Sequence, residues 1–257
     1  MRDRRILVTG GASGIGKACV DRLAALGARP IVADRMRASD GLAADDDGHL
    51  GLRLDVLDAD AVERAVAAIE DSQGPLDGLV NAAGILQRTV PPTGMDMAEW
   101  DRVVGVDLRG SYVACRAVGS RMAERGRGAI VNIASISGMT SGPLHAYGPA
   151  KAGVIQLTST LAGEWGRRGV RVNCVSPGFT ETPALRKGFD KGVLREDKLT
   201  AATALGRLVR ATEIAAAVAW LLSDDAGAIT GINLPVDAGF LCGVTWPAYG
   251  GIRGATA

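Results

Sequence analysis

Apolar residues fall into two rhythms along this chain. Short apolar runs at 5–9, 30–33, 51–54, 78–80, 129–133, 170–175 and 232–236 are rich in Val, Ile and Leu, as strands buried on both faces of a sheet must be. The longer stretches 14–26, 59–71, 98–124, 147–167 and 212–222 instead repeat apolar residues at helical spacing. Strand and helix alternate from end to end, which requires right-handed crossovers between parallel strands. The pattern predicts a doubly wound α/β fold, with a seven-stranded parallel sheet covered by helices on both faces in three αβα layers. No repeat or linker-like run divides it, so 1–257 reads as one domain. Two stretches break the rhythm: 182–203, charged and loop-like, is expected to form a substrate lid, and the tail 242–257 carries Trp246, Pro247 and Tyr249.

Composition narrows the partners. Lys plus Arg (29) nearly balances Asp plus Glu (28), and the basic residues are scattered, which argues against nucleic acid and for a small-molecule ligand. Cys19, Cys115, Cys174 and Cys242 lie far apart, with no CxxC and only His49 and His145 to join them, so no metal site is expected and the thiols read as buried and reduced. No stretch approaches the roughly 20 apolar residues of a membrane span. The first residues run straight into a strand without a long apolar leader, and a cytoplasmic location is the default expectation. Gly is the outlier at 35 residues, and the glycines cluster after strand-like runs, where backbone must bend or be approached closely.

The first of those clusters, Thr9-Gly10-Gly11-Ala12-Ser13-Gly14-Ile15-Gly16, leaves the first strand and opens the first helix. In a Rossmann-type fold this is where glycines let the backbone approach a pyrophosphate, while the helix start offers free N–H groups and a positive dipole end. The second strand ends in Asp34, whose carboxylate suits adenosine ribose hydroxyls and repels a 2′-phosphate. NAD is therefore favoured over NADP, although Arg35 directly after it partly offsets that repulsion.

Tyr147 and Lys151, four residues apart, share one face of a helix. A phenol titrates near 10, and working near neutrality needs about 3 units, or roughly 4 kcal/mol, of differential stabilisation. A neighbouring ammonium in a dry site supplies much of that. Pro149 between them fits a helix only in its first turn. Ser135 closes the fifth strand, where strand carboxyl ends face the ligand crevice, and alternation along an extended segment would point the competing hydroxyl of Ser137 the same way.

With Asn81-Ala82-Ala83-Gly84 after the fourth strand and Pro177-Gly178 after the sixth, these residues resemble the short-chain dehydrogenase/reductase family over 5–240. The resemblance implies that Ser135 orients the substrate oxygen, Tyr147 transfers its proton, and Lys151 binds the nicotinamide ribose while acidifying the tyrosine. It implies cofactor contacts at Gly10, Ser13, Gly14, Ile15, Gly16, Asp34, Arg35, Asp55, Val56, Asn81, Ala82, Gly84, Tyr147, Lys151, Pro177, Gly178, Thr180 and Thr182, the last on the carboxamide or a phosphate. One position departs: Asp107 stands where the family carries an asparagine that supports a water leading to the lysine, and a modest loss of function is expected from it.

The implied reaction is reversible hydride transfer between NAD and a secondary alcohol or ketone. Gln87 and His145 are expected to face the substrate, and with Glu181, Arg186 and Lys187 in the lid they suggest a sugar, polyol or hydroxy acid. Other readings are epimerase or dehydratase chemistry with bound NAD, as larger relatives with an extra carboxy-terminal domain perform, and a non-catalytic NAD sensor, which would normally have lost Tyr147 or Lys151. Helices 98–124 and 147–167 carry apolar residues on more than one face, and the family resemblance implies a homotetramer or dimer.

Overall fold

The computed structural model describes residues 1–45 and 47–253. Seven parallel strands form the sheet: β1 (Arg5–Thr9), β2 (Arg29–Ala33), β3 (Leu50–Leu52), β4 (Gly78–Asn81), β5 (Gly128–Ile133), β6 (Val170–Pro177) and β7 (Asn233–Val236). Their order is β7-β6-β5-β4-β1-β2-β3, extended at the β3 edge by the antiparallel two-residue strand Ala43–Ala44. The sheet is thus eight-stranded and mostly parallel, one short edge strand more than the apolar runs predict. Two alanines give no apolar run to read.

Along β1, Leu7 points to one face and Ile6 and Val8 to the other, and all three are fully buried. The Leu7 face packs against α2 (Ala59–Gln73), α4 (Gly110–Arg125) and α5 (Tyr147–Trp165) through Val66, Val118 and Leu161. The opposite face packs against α1 (Gly14–Ala25) and α8 (Ala211–Leu222) through Val20, Leu23, Ile214 and Val218. The three αβα layers therefore follow directly from two-sided burial of the strands. The order in which strands are added reverses between β1 and β4, and a crevice opens there at the strand carboxyl ends.

The single helix predicted over 98–124 is interrupted. It runs as α3 (Met97–Val104), a π-helical turn Gly105–Arg109, and α4. Glycines bracket the turn, and at Gly110 a Cβ would come within 2.6 Å of the Val56 side chain, so only glycine lets the segment approach β3's following loop this closely. π-turns of this kind recur at functional sites, and here Asp107 is fully buried.

The stretch 182–203, expected as a loop, contains two short helices, α6 (Pro183–Asp190) and α7 (Glu196–Ala201). Thr182 accepts a hydrogen bond from Leu185 N at 3.2 Å, and Pro183 follows at the first helical position, an ordinary helix start, while Leu185 and Phe189 lie one turn apart within a short charged helix. Near the start of the tail, Phe240–Gly243 and Trp246–Tyr249 form single helical turns, and 254–257 lie outside the described residues. Cys19, Cys115 and Cys174 are buried as expected, whereas Cys242 is exposed because its turn lies on the surface.

Gly119 on α4 lets this helix meet α5: a Cβ there would lie 2.3 Å from the Trp165 ring, which is itself buried. Gly119→Ala is expected to destabilise the fold by about 1–3 kcal/mol through overpacking. A urea midpoint unchanged by that substitution would contradict the close packing of α4 on α5.

Candidate active site

The glycine turn is built by close backbone approach. Gly10 and Gly14 adopt φ of +68° and +55°, and a Cβ on Gly16 would lie 2.1 Å from Gly10 O. A Cβ on Gly10 would lie 2.6 Å from Ala83 N, so the turn is pressed against the segment that follows β4. Ser13 precedes α1 in extended conformation without spending its hydroxyl on its own helix, and Ile15 is half-buried in the first turn. Together these leave a helix N-terminus beside a backbone free of side chains, which fits the pyrophosphate of a dinucleotide.

Asp34 follows β2, with Oδ2 accepting from Ala12 N at 3.0 Å and Oδ1 from Met36 N at 2.9 Å. The carboxylate is thereby fixed beside the glycine turn, with lone pairs to spare for ribose hydroxyls. Arg35 turns away from it, 51% exposed in its side chain and 3.8 Å from Asp55 Oδ2. Asp55 Oδ1 accepts from Leu57 N at 3.0 Å, and Val56 is buried against Gly110.

Behind the crevice runs a buried polar chain, and Asn81, expected at the cofactor, is one link in it. Thr9 Oγ1 donates to Asn81 Oδ1, Asn81 Nδ2 donates to Asn132 Oδ1 at 2.8 Å, and Asn132 Nδ2 donates to Thr158 Oγ1 at 2.9 Å. It ties β1, β4, β5 and α5 into one register, and every link is satisfied, as burial requires. The available signal was an amide, Asn132, in the middle of an otherwise apolar strand.

Helix α5 begins at Tyr147, so Pro149 falls in its first turn, where its missing N–H leaves nothing unsatisfied. The N-cap residue is Ala146, which has no side chain able to cap. Gln87 does this from the loop after β4: its Oε1 accepts from Ala146 N at 2.6 Å and from Tyr147 N at 3.0 Å. Gln87 is buried, with Oε1 engaged by the helix rather than turned to a substrate. His145, half-buried, precedes the helix.

One turn into α5, Lys151 is only 4% exposed. Its Nζ donates to Ile133 O at 3.0 Å, lies 3.3 Å from Asp107 Oδ2 and sits 5.5 Å from the Tyr147 ring centroid. Asp107 Oδ1 accepts from Ile85 N at 2.8 Å, while Oδ2 has no hydrogen bond of good geometry among the described residues. Gly84 makes room for this pair, since a Cβ there would come within 3.4 Å of Lys151 Nζ and 3.3 Å of Asp107 Oδ2. Burial pushes the Asp107 carboxyl above the ordinary carboxylate value, and Lys151 and the Ile85 N–H pull it back only in part. Burial also works against the lysine charge, but Asp107 and Tyr147 outweigh it and hold Lys151 above the usual lysine value.

Ser135 follows β5 and is 8% exposed, with Oγ accepting from Ser137 N at 3.1 Å. The chain then winds into a 3-10 turn, Ile136–Gly138, so Ser137 does not continue the extended alternation that would have aimed it alongside Ser135. Gly138 is packed 2.7 Å (Cβ position) from the Lys151–Ala152 backbone, which holds the Ser135 loop against α5. On the far side, Pro177 ends β6, and a Cβ on Gly178 would meet Asp237 Cα at 2.6 Å. Thr180 Oγ1 donates to Gly178 O at 2.9 Å. Thr182, besides capping α6, places its methyl 3.8 Å from a Cβ position on Gly14, so α6 starts over the glycine turn.

A family model described as enoyl-(acyl carrier protein) reductase matches residues 10–241. The chain is 40% identical over 240 residues to the D-threitol dehydrogenase of Mycolicibacterium smegmatis, covering 91% of each. It is 38% identical over 245 residues to the galactitol 2-dehydrogenase of Rhizobium johnstonii, covering 93% of this chain and 95% of that one. A crystal structure from Brucella melitensis described as ribose-5-phosphate isomerase has 53% identity and a TM-score of 0.93, covering 99% of this chain and 98% of that one. By its family match, its relatives and its fold, the chain belongs to the short-chain dehydrogenase/reductase family and is an oxidoreductase that interconverts a secondary alcohol and a ketone with a nicotinamide dinucleotide.

Proposed function

We propose that this chain oxidises a secondary alcohol of a polyol, or another polyhydroxylated small molecule, reversibly and with NAD as the hydride acceptor. The observation that carries the reading is the buried Lys151 ammonium, held by Ile133 O and Asp107 beneath the Tyr147 ring. The bound nicotinamide would supply the hydride-accepting carbon. Tyr147, as phenolate, takes the alcohol proton while the C–H bond breaks, and in reduction it returns that proton to the carbonyl oxygen. Lys151 supplies the positive field that makes the phenolate accessible near neutral pH. Ser135, positioned by its own loop rather than by a distant partner, donates to the reacting oxygen. Gln87 acts on Tyr147 through the helix start, so the polar substrate contacts fall to His145 and to Glu181, Arg186 and Lys187 at the lid.

Asp34 supports NAD over NADP, because a 2′-phosphate would meet a fixed carboxylate while Arg35 leans towards Asp55. The polyol class is supported by the two dehydrogenase relatives, named for threitol and galactitol. A cytoplasmic homotetramer or dimer, with Pro177, Gly178, Thr180 and Thr182 on the cofactor side of the lid, completes the proposal. No helix among the described residues is long and apolar enough to cross a membrane.

A second reading is favoured by one finding, the isomerase description of the Brucella structure. Aldose–ketose isomerisation moves a proton between adjacent carbons with no net redox change and does not need a dinucleotide. A panel of polyols, sugars and hydroxy acids with NAD, run beside ribose 5-phosphate without NAD, separates the two. The expected result is NADH formation with a polyol and no isomerisation; ribulose 5-phosphate formed without NAD would replace this reading with the other.

Ser135→Ala is expected to lower kcat roughly 100-fold or more, as loss of a donor to the reacting oxygen does, with Ser137→Ala near wild type. Steady-state kinetics giving the reverse order would transfer the role to Ser137. Removing the charge in Asp34→Asn is expected to reduce the preference for NAD over NADP by about tenfold, the size of one charged hydrogen bond. A preference ratio unchanged in that variant would remove Asp34 from cofactor selection.

A further inference from the structure

Asp107 is unlike the other groups around Tyr147, because it brings a full negative charge into direct contact with the cation on which the phenol depends. Its Oδ2 lies 3.3 Å from Lys151 Nζ in a space closed to solvent, and no hydrogen bond of good geometry diverts it elsewhere among the described residues. The π-helical turn Gly105–Arg109 aims it there, and the Ile85 N–H fixes its other oxygen at 2.8 Å. Lys151 in turn sits 5.5 Å from the Tyr147 ring centroid. A neutral side chain at 107 would leave the lysine field at the phenol undiminished, whereas a carboxylate subtracts from it.

We propose that Asp107 is a positioning residue that sets the working pH of Tyr147: its buried carboxylate partly cancels the Lys151 charge felt by the phenol, so that alcohol oxidation requires a more alkaline medium than it would with a neutral residue at 107. This rests on the assignment of Tyr147 as the proton acceptor. The other groups facing the pair do not offset the carboxylate. Cys174 on β6 and Cys115 on α4 stay neutral thiols, pushed by burial to about 11 and about 12. Arg109, on the same turn as Asp107, reaches outward to Leu57 O at 2.9 Å. The loop after β4 adds no charge to the pair: the Ile85 N–H faces Asp107, and Gln87, a neutral amide, accepts from Tyr147 N.

The sign follows from charge. Lysine lowers the pH at which the phenolate forms and the carboxylate raises it, so neutralising residue 107 must move Tyr147 ionisation downwards, by about one pH unit, the low end of what a nearby charge does inside a protein. The chain has three tyrosines, Tyr112, Tyr147 and Tyr249, so tyrosinate absorbance of the cofactor-free protein, with the matching Tyr147→Phe variant subtracted, isolates the one of interest. In Asp107→Asn, Tyr147 is expected to titrate about one pH unit lower than in the wild type. The acid limb of kcat for alcohol oxidation is expected to move the same way. Asp107→Ser, neutral but differently shaped, should shift Tyr147 in the same direction, and a merely structural role would lower kcat in both variants without moving either curve. Coincident titrations, or an upward shift, overturn the proposal. If no alcohol is oxidised at all, the proposed reaction fails while the cofactor-free titration still decides this inference.

Discussion

A lysine that is almost wholly removed from water keeps its charge only if the fold supplies what water would have given it. Lys151 receives the Ile133 carbonyl, the Asp107 carboxylate and the face of the Tyr147 ring, one from a strand end, one from a π-helical turn and one from its own helix. Each comes from a different element, so the site exists only when the sheet, the interrupted helix and α5 are all in register. The constraint also runs the other way. Asp107 is as deeply buried and would be costly without the lysine, whereas Lys151 keeps the Ile133 carbonyl and the Tyr147 ring whatever stands at 107.

What delivers those elements to one place is the doubly wound topology and a small set of positions where a side chain will not fit. The reversal between β1 and β4 opens the crevice. Gly10 allows the first turn to press on Ala83, Gly16 allows α1 to start against Gly10, and Gly84 leaves space for the Lys151–Asp107 pair. The buried chain from Thr9 through Asn81 and Asn132 to Thr158 then fixes the strands relative to α5 by hydrogen bonds that tolerate little displacement. Dinucleotide site and proton-transfer site are thus two ends of one rigid arrangement.

Much of this was legible in the sequence because two-sided burial writes itself as apolar runs. The seven parallel strands, α1, α2, α5 and α8 fall close to where hydrophobic spacing places them. What was not legible depends on contacts between distant residues. The break at Gly105–Arg109 carries no proline and looks helical in spacing, since a π-turn alters hydrogen bonding without altering composition. The helices α6 and α7 span only eight and six residues and bury none of their side chains, so the stripe of Leu185 and Phe189 on α6 is too brief to stand out from a charged stretch. Gln87, expected at the substrate, caps a helix whose own N-cap is an alanine, and nothing local to Gln87 signals a partner almost sixty residues away. Ser137 was expected to share the direction of Ser135 because the strand was extrapolated past its end, where the backbone already turns.

The account stands or falls on whether the buried ammonium makes Tyr147 reactive. The direct measurement is the pH dependence of kcat for alcohol oxidation in Lys151→Met, a substitution of similar length without the charge. Loss of the cation should carry the acid limb upwards, towards the value near 10 of an unassisted phenol, with a much lower rate at neutral pH. A Lys151→Met enzyme that keeps the wild-type limb and rate would show that the tyrosine is tuned by something else.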